Sequence, residues 1–163
     1  MNNCSFCNLQ SSKNELIWQN DYFLSIFDHH PVSPGHALVI PKQHKVSLND
    51  LNRYEWQNLH TAIRKVISII EKSDLTKIYK QYISNPTSQE SIWFCKKALQ
   101  HPKINQKPDA YNYGINDGKA AGRTVNHFHF HIIPRYQGDM NDPRGGVRHA
   151  IPQMGNYKIP KEH

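Results

Sequence analysis

The sequence predicts an α+β domain built on a five-stranded antiparallel sheet, and three features carry that expectation. Short runs rich in aromatic and β-branched residues lie toward both ends of the chain. One long stretch of apolar residues at helical spacing separates them. The resulting order is β-β-β-α, an insert, then β-β, which suits α+β packing on an antiparallel sheet.

Each element has its own signal. Residues 16–18 and 22–27 read as a hairpin across the polar Gln19-Asn20-Asp21. Pro31, Pro34 and Gly35 make residues 28–35 a loop. Residues 36–40 form an apolar strand that ends at Pro41. Ser47 and Asp50 have capping-box spacing, and Leu51, Leu59, Ile63, Val66, Ile67 and Ile70 then recur at helical intervals. This predicts one helix over about residues 48–72, with Arg53, Glu55, Arg64 and Lys65 on its solvated face. Residues 74–107 read as an insertion or lid, with short helices at 75–83 and 91–99 broken at Asn85-Pro86. Residues 111–116 and 125–134 are the last two strands, joined by a Gly/Ala-rich turn. A Gly/Pro/Arg-rich tail follows over 137–163, and the whole chain, 1–163, reads as one domain.

Composition narrows the function classes. The 163 residues carry 20 Lys and Arg against 13 Asp and Glu, a formal charge of +7. That excess points to an anionic partner: nucleic acid, a phosphorylated small molecule or an anionic membrane surface. Mean hydropathy is −0.73, and no run approaches the roughly 18–20 apolar residues that cross a bilayer. The first twenty residues are polar and lack the apolar core of a secretory signal. The expectation is a soluble cytoplasmic domain with no membrane role. Three cysteines are too few for a disulfide framework. Cys4 and Cys7 have the CxxC spacing of a metal or redox pair, and Cys95 reads as a small apolar helix residue. A redox role needs a CxxC at a helix start in a βαβ setting, whereas this one precedes a hairpin. Zinc would need two further ligands, which eleven histidines can offer.

The chemistry concentrates in His127-Phe128-His129-Phe130-His131-Ile132-Ile133. On a strand, alternation places the three histidines on one face and Phe128, Phe130 and Ile132 on the other, toward the core. Neutral imidazole is a nucleophile, a general base or a metal ligand, and it titrates near neutrality. Arg135 follows directly, and Lys119 and Arg123 lie in the preceding turn, so a phosphate is the natural electrophile. Gly118-Lys119-Ala120 fails the P-loop pattern in both its glycine spacing and its missing Ser/Thr. Arg144 and Arg148 flank Gly145-Gly146, either as an anion-binding turn or as a solvated tail turn.

The triple-histidine run resembles the signature of the histidine triad (HIT) family. Two further segments resemble the family's other hallmarks: Pro34 to His44, and Asn116 to Val125. The similarity spans residues 4–72 and 108–157. It implies a five-stranded antiparallel sheet, usually continued across a homodimer, and nucleotidyl hydrolysis or transfer at an α-phosphorus. It places the nucleophile at His129, with His131, His127 and His36 beside it. It assigns ribose contact to Asp28 and phosphate or leaving-group contacts to Asn116 and Thr124. Arg123 stands where the family usually has a phosphate-touching Gln, and could either bind phosphate or point elsewhere. With Arg135, Arg144 and Arg148 it completes the expected nucleotide-binding set. Resemblance to the zinc-containing branch of the superfamily implies one structural zinc per chain on Cys4, Cys7, His44 and His127, and no catalytic metal.

The substrate expectation is a dinucleoside polyphosphate such as diadenosine tetraphosphate. Phosphoramidate hydrolysis, nucleotidyl phosphorolysis or transfer, and a nucleotide- or RNA-binding role with vestigial catalysis are the alternatives. Nucleic acid is the disfavoured partner, because the nucleophile position is intact and the triad-strand aromatics face away from the histidines.

Overall fold

The computed structural model describes residues 4–11 and 15–157. The end of the expected tail, 158–163, lies outside the described residues. Five strands form one antiparallel sheet in the order β1-β2-β3-β5-β4: β1 is Trp18–Gln19, β2 Phe23–Phe27, β3 Ala37–Pro41, β4 Ala110–Gly114 and β5 Phe130–Arg135. β2 and β3 are buried along their whole length because both sheet faces are covered. Phe23, Phe27, Val39 and Ile132 pack under the long helix α2, Arg53–Ile70. Leu24, Ile26, Leu38 and Ile40 point the other way and meet Leu9 and Phe6 of the N-terminal segment, which holds the short helix α1, Ser5–Asn8.

The expected single helix over 48–72 is two elements. Ser47 and Asp50 do form a capping box, but it closes a 3-10 turn, Leu48–Asp50. The chain extends at Leu51 and restarts with a second box, Asn52 and Glu55, whose side chains each accept from the other end's backbone N–H. Glu55 was expected in solvent and is instead 1% exposed. Its carboxylate is matched by the Asn52 N–H at 2.7 Å and Lys45 Nζ at 3.6 Å, which makes the burial of that charge tolerable.

The insert is ordered and belongs to the core. Helices α3, Leu75–Ser84, and α4, Gln89–Leu99, form an antiparallel pair broken, as expected, at Asn85-Pro86. Leu75, Tyr79, Cys95 and Ala98 join α2 and the sheet in one apolar cluster. The last strand also begins later than expected. Residues 125–127 form a bend, with the His127 N–H donating to the Val125 carbonyl at 2.8 Å; the Phe128 N–H then donates to the Lys45 carbonyl at 2.6 Å, and the ladder starts at Phe130. In the tail, a 3-10 turn, Gly146–Ala150, and the short helix α5, Pro152–Gly155, fold back beside β4. Among the described residues no helix is long and apolar enough to cross a membrane.

Glu55→Ala removes one arm of the helix cap and leaves Lys45 facing an apolar contact. Urea denaturation should show a loss of about 1–2 kcal/mol. A midpoint equal to wild type would mean that the buried carboxylate does not anchor α2.

Candidate functional site

The site is built on the sheet face opposite α2, where β3 and β5 lie side by side. Leu38 pairs with His131 in the ladder, and His36 ends the loop that enters β3. The short approach to β5 brings His127 and His129 to the same face.

These histidines do different work. His127 is fully buried, and its Nε2–H donates to the Pro41 carbonyl at 2.9 Å. Its Nδ1 lone pair therefore turns toward the N-terminal thiols, 3.4 Å from Cys4 Sγ and 3.5 Å from Cys7 Sγ. Cys7 Sγ lies 3.3 Å from His44 Nδ1, and the four ligand atoms all fall within 4.8 Å of one another. A tetrahedral ion with bonds of about 2.3 Å to sulfur and 2.0–2.1 Å to nitrogen would set each S···N pair roughly 3.6 Å apart. The donor set and its spacing fit zinc.

His129 Nδ1 lies 2.8 Å from the His127 carbonyl. Only a protonated Nδ1 can donate there, so the Nε2 lone pair is left free. Phe6, which lies between the two cysteines, meets the His129 ring edge-on with centroids 5.2 Å apart. His131 Nδ1 meets His36 Nε2 at 3.0 Å, and His36 Nδ1 lies 3.4 Å from the Asp28 carboxylate. A single proton serves the bond between the two rings. Burial holds His131 down to about 4, with help from the neighbouring His36 and His129. Burial also lowers His36, partly offset by Asp28. His131 Nε2 is buried with no hydrogen-bond partner among the described residues.

These groups face a cavity of about 630 Å³. His129, His131, Asp28 and Thr124 line it, as do Ile26 and Leu38 of the sheet. His36 and His127 stand behind that lining. Asn116 is exposed in the preceding turn and does not line the cavity. Nor do the four arginines. Arg123 donates to the Val46 carbonyl at 2.6 Å and pairs with Asp117 at 3.4 Å. Arg135 grips both oxygens of Asp139 at 2.7 Å each and donates to Asn112. Arg144 is similarly engaged with Asp142, and Arg148 reaches the Met154 carbonyl and the Tyr157 ring.

Sequence reasoning missed His29 and His30, read as surface or locally bonded residues. Both line the cavity, as do Thr87 and Phe94 of the insert. The only sequence signal was their position directly after Asp28.

The sequence profile described as the HIT domain matches residues 10–138. The chain belongs to the HIT family. An uncharacterised HIT-like protein of Methanocaldococcus jannaschii is 27% identical over 83% of this chain and 81% of its own length. The asymmetrical bis(5′-nucleosyl)-tetraphosphatase of Schizosaccharomyces pombe is 34% identical over 69% of this chain, but only 44% of its own length. Among solved structures, a zinc-bound histidine triad protein of Mycobacterium smegmatis is 28% identical, with a TM-score of 0.57 over 93% of this chain and 94% of that one.

The lowered histidines of this HIT site make stability pH-dependent. An unfolded histidine titrates near 6.5, whereas folded His131 resists protonation to about 4. The unfolded chain therefore binds more protons as pH falls through that window. The contribution is intact above about pH 6.5 and is lost toward pH 4. The urea midpoint should fall over this range in wild type and less steeply in His131→Gln. Equal acid slopes would remove His131 as the cause.

Proposed function

We propose that the protein hydrolyses a dinucleoside polyphosphate at an α-phosphorus, with His129 as the nucleophile. One observation carries this reading: the 2.8 Å bond from His129 Nδ1–H to the His127 carbonyl leaves the Nε2 lone pair at the cavity. The named activity of the S. pombe relative supports the substrate class.

In the first step the Nε2 lone pair forms an N–P bond, and the P–O bond to the bridging oxygen breaks with its electrons leaving on the polyphosphate half. The histidine becomes a cation. The His127 carbonyl, already accepting from Nδ1–H, stabilises that charge without having to move. His131 donates from Nε2 to a phosphoryl oxygen when its Nδ1 accepts from His36 Nε2–H, so His36 sets the useful tautomer. Thr124 faces the same cavity and offers a hydroxyl to the leaving group. Asp28 meets the ribose hydroxyls. In the second step water attacks the same phosphorus and the N–P bond electrons return to Nε2. The hydroxyl stays on phosphorus and one proton goes to solvent.

Cys4, Cys7, His44 and His127 would hold one zinc per chain. A closed Cys2His2 site supplies structure, not an open coordination position. Its part is to fix His127, and through the His127 carbonyl to orient His129.

With diadenosine tetraphosphate, product chromatography should show AMP plus ATP from wild type, with His129→Ala slower by on the order of 10³-fold or more. Equal rates in the two proteins would exclude His129 as nucleophile. No turnover by wild type would reject this substrate. Elemental analysis should find one zinc per chain, lost in the Cys4→Ser/Cys7→Ser double variant together with thermal stability. A metal-free wild type with the same melting temperature in a chelator would rule out the structural zinc.

A further inference from the structure

The α3–α4 pair does more than fill the core. Five of its side chains grip the loop that carries Asp28 and His36. Tyr79 Oη accepts from the Gly35 N–H at 2.8 Å, in a buried position. The Tyr82 ring lies flat on His29, with centroids 4.1 Å apart and planes 14° from parallel. Cys95 Sγ reaches the His29 carbonyl at 3.7 Å, Ser88 Oγ lies 3.4 Å from His30 Nε2, and the Phe94 edge meets the His30 ring with centroids 5.6 Å apart.

Two features of this wall point to a ligand. Phe94 is half-buried, between the exposed Trp93 and the buried Cys95, and it lines the cavity that holds His129 and His131. Beside it, neither ring nitrogen of His29 makes a hydrogen bond among the described residues, and the Glu15 carboxylate stands 3.8 Å from Nε2, beyond bonding distance. Burial lowers His29, partly offset by the carboxylates of Glu15 and Asp28, and a neutral ring presents one donor and one acceptor. The remaining lining is largely apolar, with Phe6, Leu9, Ile26 and Leu38; Glu15 adds a carboxylate beside His29, and no Lys or Arg takes part among the described residues. An aromatic edge, an apolar floor and a polar ring with no hydrogen bond of its own suit a flat heteroaromatic group.

We propose that α3–α4 forms the base-recognition wall of the nucleotide pocket, with Phe94 as the residue on which the nucleobase stacks. This rests on the nucleotide reading above. Tyr82 acts one step removed, as a positioning residue that holds His29 in the wall.

The test compares AMP with ribose 5-phosphate, which lacks the base, by calorimetric titration of the full chain. Wild type should bind AMP more tightly. Phe94→Ala should weaken AMP by roughly five- to thirtyfold, the range expected for losing one aromatic stacking partner, and leave ribose 5-phosphate within about twofold. Phe94→Leu keeps the apolar bulk and should lose AMP affinity as well, whereas Phe94→Tyr should restore it. Matching far-UV circular dichroism and melting temperature would separate these effects from misfolding. AMP affinity unchanged in both Phe94→Ala and Phe94→Leu would overturn the proposal, as would an equal loss for ribose 5-phosphate. If wild type binds neither ligand, the nucleotide reading itself fails, and this inference falls with it.

Discussion

His127 is the residue on which the site's geometry depends, because three of its groups are committed at once. Its Nε2–H is fixed by the Pro41 carbonyl at the end of β3, its Nδ1 faces the two thiols, and its own carbonyl holds the His129 ring. A side chain with one of these contacts could rotate; with all three it has one orientation. The Phe128 N–H adds a fourth constraint by tying the next peptide to Lys45, beside His44. Strand end, Cys2His2 cluster and the His129 ring are therefore one mechanical unit, and disorder in the N-terminal segment would be felt at His129.

Much of this was legible because strand alternation is a hard geometric rule. It placed His127, His129 and His131 on one face although the ladder begins only at Phe130. The missed boundary has a local cause: the chain bends at 125–127, where the His127 N–H turns back to the Val125 carbonyl, and the next N–H bonds to Lys45 rather than to a neighbouring strand. The long helix was misjudged at its start for a related reason. Two capping boxes stand five residues apart, and the first closes only a turn. Glu55 looked like a surface acid because its two partners, the Asn52 N–H and Lys45, become visible only in three dimensions.

The arginines teach the opposite lesson. A charge of +7 and four arginines near the triad suggested a cationic phosphate site, yet Arg123, Arg135 and Arg144 each pair with an acid a few positions away: Asp117, Asp139 and Asp142. Those acids were in the sequence, close enough to compete for the guanidinium groups. Net charge describes the surface field that attracts an anion. It does not locate the groups that grip one.

The absence of a lysine or arginine from the cavity lining among the described residues is also consistent with the proposed chemistry. A lysine or arginine in contact with the phosphates would stabilise bound substrate as well as the transition state, and uniform binding of that kind does not raise the rate of the chemical step. In the proposed displacement the new positive charge appears on His129 only as the N–P bond forms. The His127 carbonyl lies 2.8 Å from the nitrogen that shares this charge, so its attraction grows along the reaction coordinate rather than being present at the outset. Burial reinforces the same preference, because it keeps the neighbouring His131 neutral and spares the developing imidazolium a second full charge beside it.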